Sequence, residues 1–271
     1  MVKSIVIPPC PATLTQLQRE MALPDPDVRA LSRLVTEDVS LSLTVLRTVN
    51  APFYGLRRKV QSIVQAVAMI GMRQLGTVIT STLMREAVKF PGQKLTQFWE
   101  LANQRSYAMR SLAQRLKGVD VDAAQAFGLF CDIGIPLLLH RFDGYDGTLR
   151  LAFTDAERPF TAIESERHGA NHAQIGAIMA RTWGLSDTLC TAIQRDHDFT
   201  VFHDPAVPEP VCQLIAMSLF ADLAIGRLVP ANANQEWAKG GADAQHFLML
   251  SDYDLADWME ALKEDFFAVD R

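Results

Sequence analysis

A chain of 271 residues with 49% hydrophobic content is long enough for one large domain or two small ones, and it can bury a core without cross-links. Its four cysteines, Cys10, Cys131, Cys190 and Cys212, are widely spaced with no Cys-x-x-Cys pair, which excludes a dense disulfide framework and leaves them as reduced, mostly buried thiols. The net charge of −5 conceals +9 over residues 1–118 followed by −14 over residues 119–271, an asymmetry that suits two mutually attracting subdomains better than a nucleic-acid surface, because the basic residues are dispersed and only Arg57-Arg58-Lys59 form a run.

The N-terminus, Met1-Val2-Lys3-Ser4 and a short apolar run ending in Pro8-Pro9, lacks the long apolar stretch and cleavage site of a secretory signal, so a cytoplasmic location is expected. Helical periodicity then dominates: Leu14, Leu17 and Met21; Val28, Leu31 and Val35; Leu41, Val45 and Val49; Ile63, Val67 and Ile70. Asp25-Pro26 offers an N-cap with proline at the first helical position, and Ser62 stands ahead of the Ile63 helix. Pro91-Gly92 breaks the pattern and sets the expected boundary between an N-terminal helical subdomain, residues 1–94, and a second one, residues 95–271.

A long helix is expected from about Phe98, with Phe98, Ala102, Met109, Leu112 and Leu116 on its apolar side. Further helices are expected over Ala123 to His140, around Ile175, Ile178, Met179 and Trp183, over Leu189 to Ile193, over Val211 to Leu228, and around Leu255, Trp258, Met259, Leu262 and Phe266. Phe199 to Pro210 and Pro230 to Gly241 are rich in loop formers and read as loops. Gln213, Asp222 and Arg227 interrupt the most apolar late stretch, so no membrane span is expected. The fold class is all-α. Phosphate-binding glycine loops, a serine-nucleophile elbow and a zinc-protease His-Glu-x-x-His helix are all missing, which leaves nucleotide-driven and serine-hydrolase mechanisms without support.

The run Asn50-Ala51-Pro52-Phe53-Tyr54-Gly55, followed by Ser62-Ile63, Ala66 and Ile70-Gly71, resembles the N-terminal signature of the HDOD family. Pro8-Pro9-Cys10-Pro11 and Glu37-Asp38 before Leu41 suit that family, which more often has proline where this chain has Val39. Phe98-Trp99-Glu100, the segment from Gly128 to Gly134, Asn171 to Gly176, and Trp183-Gly184-Leu185 follow in the expected order, so the resemblance spans roughly residues 5–230. It implies a multi-helix bundle like that of HD-domain phosphohydrolases, preceded by an N-terminal helical subdomain. The turn itself has a plainer reading: Asn50 or Gly55 accepts a left-handed backbone while Phe53 and Tyr54 pack inward as scaffold.

Active HD-domain enzymes hold metal with a His-Asp doublet and further His and Asp residues, and the metal activates water against a phosphate ester. At the doublet this chain reads Cys131-Asp132, and Gly134 is followed by Ile135 rather than lysine. The upstream helix has Leu101 where a histidine is expected, Asp196-His197 replaces a His-His pair, and Gly144-Tyr145-Asp146 breaks the Gly-Tyr-Pro signature of cyclic-dinucleotide phosphodiesterases. Asp132, His172, His197 and Asp222 remain as remnants of a ligand set. A mononuclear site in which Cys131 joins His172, His197 and an aspartate is the contrary option, against which a buried lone cysteine is more often an inert hydrophobe. For the two histidines, helix-start or interhelical hydrogen bonding is the preferred reading.

The expectation is therefore a non-catalytic bacterial regulator with no cofactor or bound metal, acting through a signalling protein supplied in trans. Asn50, Phe53, Tyr54, Arg57, Arg58 and Lys59 are the candidate contact residues, and membrane and nucleic-acid partners are disfavoured. The alternative is a metal-dependent phosphohydrolase acting on a nucleotide or other phosphate ester with a reduced ligand set.

Overall fold

The computed structural model describes residues 5–50, 56, 58–90 and 95–267, and these contain α-helices and short 3-10 turns with no β-strand. The chain divides into two compact units, one of Met1–Pro8 with Phe90–Lys263 and the other of Pro9–Lys89 with Glu264–Arg271.

In the smaller unit, helices α1 (Ala12–Met21), α2 (Val28–Thr36), α3 (Val39–Val49), α4 (Ile63–Ile70) and α5 (Met72–Ala87) follow the apolar periods of the sequence. Leu14 and Leu17, Leu31 and Val35, Leu41, Val45 and Val49, and Leu75, Val78 and Ile79 are all buried, and α5 packs against α1 and α3. The helix starts are set by side-chain caps: Ser62 accepts from the Gln65 amide at 3.2 Å, and Asp38 accepts from Leu41 at 3.0 Å. Val39 is the first residue of α3, the position at which a helix tolerates proline because its amide has no intrahelical acceptor. Gly71, at φ 82°, ends α4 and starts α5 in a conformation that a β-carbon would strain.

Two local expectations need correction here. The cap of α2 is Asp27, whose carboxylate accepts from the Arg29 amide at 2.8 Å, so the helix begins after Pro26 instead of on it. Asn50 is right-handed, at φ −82° and ψ 0°, while Gly55, the other residue expected to accept a left-handed backbone, lies outside the described residues. The Asn50 amide instead bridges ten residues, donating to the Val60 carbonyl at 2.8 Å and accepting from the Val60 amide at 2.7 Å, so hydrogen bonding rather than backbone handedness explains an asparagine there.

The larger unit contains α6 (Thr96–Ala113), α7 (Val121–Phe130), α8 (Gly134–Arg141), α9 (Tyr145–Thr154), α10 (Phe160–His168), α11 (His172–Thr182), α12 (Asp187–Gln194), α13 (Glu209–Leu228), α14 (Glu236–Phe247) and, as far as Lys263, α15 (Asp252–Phe267). Helices α6 and α7 cross closely enough that a β-carbon on Gly128 would lie 2.8 Å from the Ser106 backbone, and the Ser106 hydroxyl donates to the Gln125 carbonyl at 2.8 Å. The helix expected over Ala123 to His140 is divided by a turn at residues 131–133. The expected loop from Pro230 to Gly241 gives way at Glu236 to α14, and 3-10 turns at Phe199–His203 and Pro230–Asn232 occupy parts of both expected loops. Gly240 and Gly241 imitate a breaker signal, but inside α14 they make room for the Phe199 and Trp237 rings.

By length and composition, Val121–Arg141 and Glu209–Leu228 could each cross a bilayer, so the reading of the later stretch as too polar does not stand. Their apolar windows are 78% and 67% buried within the protein, where they form much of the core of the larger unit.

Candidate functional site

The turn between α7 and α8 carries Cys131 and Asp132, both buried. Arg105 of α6 reaches them, with Nη1 donating to Asp132 Oδ2 at 2.7 Å and to Cys131 Sγ at 3.2 Å. The same guanidinium turns its other edge to Asp222 of α13, with Nε donating to Oδ1 at 2.6 Å and Nη2 to Oδ2 at 3.2 Å. All three charged side chains are sequestered, at 4%, 10% and 12% relative exposure for Arg105, Asp132 and Asp222, so this is an ion triad in a low-dielectric interior. Asn234 completes the shell by donating to Asp222 Oδ2 at 2.9 Å.

On the other side of Asp132 are the two imidazoles. His172 opens α11, where Asn171 caps the helix, and its Nδ1 lies 2.7 Å from Glu164 Oε2 of α10. Tyr145 of α9 donates its hydroxyl to the other oxygen of Glu164. His197 follows α12, and its Nδ1 lies 2.8 Å from Glu236 Oε2, the first residue of α14, whose other oxygen accepts from Lys239 at 2.5 Å. Phe160 packs on both rings, nearly parallel to His197 and edge-on to His172.

With both Nδ1 atoms donating to carboxylates, the two Nε2 atoms face one another at 3.1 Å, and His172 Nε2 also lies 3.3 Å from Asp132 Oδ1. Two lone pairs do not meet at that distance, so a proton sits between them. Burial works against the charged form of both rings, but Glu164 and Asp132 raise His172 to about 10 and Glu236 raises His197, and the second carboxylate beside His172 makes it the better owner of that proton. Burial likewise opposes ionisation of Asp132, yet Arg105 and His172 hold it well below the usual carboxylate range. Asp196, which accepts from the Ser218 hydroxyl at 3.0 Å, is pushed up to about 6 by burial, with His197 pulling the other way. Burial pushes the Cys131 thiol up more strongly than Arg105 lowers it, which favours the neutral thiol in the metal-free protein.

The donor atoms of Asp132, His172 and His197 lie within 4.8 Å of one another, and so do those of Cys131, Asp132 and Asp196. The metal centre implied by the HD-domain resemblance would need Asp132 and Asp222 free to hold an ion. Both face the Arg105 guanidinium instead, so the residues present do not fit that centre.

Of the residues singled out from the sequence, Asp132, His172, His197 and Asp222 converge on this one site, with Cys131 at its edge. Arg58 and Lys59 are exposed, and Asn50 is engaged with Val60. Phe53, Tyr54 and Arg57 lie outside the described residues.

Sequence reasoning missed Arg105, Glu164, Glu236 and Lys239. At the upstream position, half-buried Leu101 does not take part; the side chain that reaches Asp132 is Arg105, one helical turn later. A signal was available, since Arg105 falls on the stripe Ala102, Met109 and Leu112, where a charge has no solvent to face. Glu164 stands beside Ile163 on the buried side of α10, whereas Glu236 was hidden by the expectation of a loop.

A family model described as the HDOD domain matches residues 7–199. An uncharacterized protein of Treponema pallidum (strain Nichols) is 26% identical over 223 residues, which cover 81% of this chain but 42% of that protein, so the chain spans less than half the length of this curated relative. Among solved structures, a proposed phosphohydrolase from Shewanella amazonensis SB2B has a TM-score of 0.72 at 25% identity, covering 97% of this chain and 91% of the other. An HDOD domain protein of unknown function from Geobacter sulfurreducens has a TM-score of 0.74 at 20% identity, with 97% and 91% coverage. A proposed signal transduction protein from Marinobacter aquaeolei VT8 has a TM-score of 0.75 at 18% identity, with 98% and 62% coverage.

Proposed function

From the premise that this chain belongs to the HDOD domain family, we propose that it is a non-catalytic signalling module that works through protein contacts in the bacterial cytoplasm. One observation carries the reading: the Arg105 guanidinium lies between Asp132 and Asp222 and contacts both carboxylates. A hydrolase of this kind needs an electrophilic ion and an activated water, and a guanidinium supplies neither an open coordination position nor a bound hydroxide. The rest of the site is equally self-satisfied, since each imidazole is held by a glutamate and by the other ring.

Support for contacts comes from the smaller unit. Val39 and Leu43 on α3 are 70% and 61% exposed, and Val64 and Met69 on α4 are 52% and 53% exposed, in a unit that also exposes Arg58 and Lys59. Val39 and Leu43, four residues apart, share one face of α3, and an exposed apolar face is the kind of surface a protein partner covers.

The test has two arms. Purified protein supplied with Mn2+ should show no turnover of phosphomonoesters or phosphodiesters. Cross-linking in the native host should capture a protein whose recovery falls when Leu43→Glu and Met69→Glu are combined. Phosphatase activity that Asp132→Ala abolishes would overturn the reading.

The second reading, a phosphohydrolase with a reduced ligand set, draws on the convergence of Asp132, His172 and His197. It requires Arg105 to leave the carboxylates before an ion could bind there.

A further inference from the structure

We propose that the Arg105 guanidinium stands in for a divalent cation, and that removing it opens a latent site for a borderline metal ion bounded by Asp132, Asp222, His172 and His197. Asp132 comes from the turn after α7 and Asp222 from α13, and both are held close to one guanidinium in the interior. Without the guanidinium, Asp222 loses its counter-charge and Asp132 keeps only His172, so a cation or a proton must make up the difference.

Beside the guanidinium stands a donor set. Asp132 Oδ1, His172 Nε2 and His197 Nε2 already lie within 4.8 Å of one another. Glu164 and Glu236 hold the two Nδ1 atoms, the arrangement that aims imidazole lone pairs at an ion. Asn234 similarly fixes Asp222 from outside. Two imidazoles with carboxylates suit Mn2+, Fe2+ or Zn2+ better than Ca2+, which prefers oxygen ligands alone.

Wild type should not use these donors. An incoming dication would meet the guanidinium, which already occupies the inner oxygens of Asp132 and Asp222 and repels a second cation there. This inference rests on the non-catalytic reading for the wild-type chain, but it is read out by binding instead of turnover.

The experiment uses the full chain, stripped with chelator and then titrated with Mn2+ by calorimetry and thermal unfolding. Wild type should bind no Mn2+, and its midpoint should move by less than about 1 °C. Arg105→Ala should unfold several degrees lower in chelator, bind about one Mn2+ per chain at least about tenfold more tightly than wild type, and recover part of the lost midpoint. Asp132→Asn added to Arg105→Ala should abolish that gain, which separates the site from adventitious surface binding. Arg105→Lys, which keeps a positive charge, should stay insensitive to Mn2+. If Arg105→Ala is insoluble, it is refolded with and without Mn2+, and recovery only with the ion supports the proposal.

Failure of Arg105→Ala to gain Mn2+ binding, or insolubility in both refolding conditions, overturns this inference and leaves the signalling reading intact. Stoichiometric Mn2+ on wild type overturns this inference, and the signalling reading falls with it only if turnover is also found.

Discussion

A β-carbon placed on Gly134 would lie 2.1 Å from the carbonyl oxygen of His172 and 2.9 Å from the Gly176 amide nitrogen. The start of α8 therefore touches the first turn of α11 backbone to backbone, and that contact brings Asp132, two residues earlier, within 3.3 Å of His172 Nε2. Gly134→Ala should force these helices apart and destabilise the protein by about 1–3 kcal/mol, the usual cost of overpacking. Urea denaturation measures it, and an unchanged midpoint would show that the contact yields without cost.

His172 predicts a loss of stability in alkali. Its folded-state pKa of about 10 exceeds the ordinary value of 6.5, because Glu164 and Asp132 favour the charged ring despite burial. A group raised in this way contributes its full stability below pH about 6.5 and loses it as pH rises through about 10. The urea midpoint should accordingly fall across that window. Glu164→Gln removes one of the two anions and should flatten the slope, while the imidazole titration followed by NMR moves to lower pH. An alkaline slope that is the same in both proteins would rule out Glu164 as its cause.

Gly240 offers a prediction whose sign runs against helix propensity. In an exposed helix, glycine to alanine stabilises by up to about 1 kcal/mol. Here a β-carbon would lie 2.4 Å from the Phe199 ring, so Gly240→Ala should destabilise, by roughly 1–2 kcal/mol after the propensity gain is subtracted. A rise in the thermal midpoint would mean that Phe199 moves freely out of the way.

Asn50 and its exposed neighbours should separate cleanly. Asn50→Ala leaves the Val60 amide and carbonyl without their side-chain partners and should cost about 1–3 kcal/mol. Arg58→Ala and Lys59→Ala, at exposed positions, should stay within about 0.5 kcal/mol of wild type. Chemical denaturation of the three variants checks this, and equal effects would place Asn50 among surface residues.

The helices were legible in the sequence because each one must present an apolar stripe inward, and the periods of Leu14 and Leu17 or Leu41, Val45 and Val49 report that requirement locally. Ser62 as a cap was legible for the same reason, since it acts on an amide three residues away. The ordered segments around Cys131-Asp132 and Asn171-His172 identified half of the candidate site by resemblance. What stayed hidden was mainly partners from distant parts of the chain: Arg105 reaches Asp222 across 117 positions and Glu236 reaches His197 across 39, while Glu164 was missed although it stands eight residues before His172. The glycines of α14 misled for a related reason, because an open backbone for a turn and an open space for Phe199 have the same letter.

The sequence by itself determined that this is a helical protein of the HDOD kind in which the His-Asp doublet has lost its histidine. Only the tertiary structure decided what fills the gap, a guanidinium from α6 held between carboxylates of two other segments. Periodicity records which side chains must leave water, but the pairing of buried charges depends on which helices meet, and that is set by packing across the whole unit.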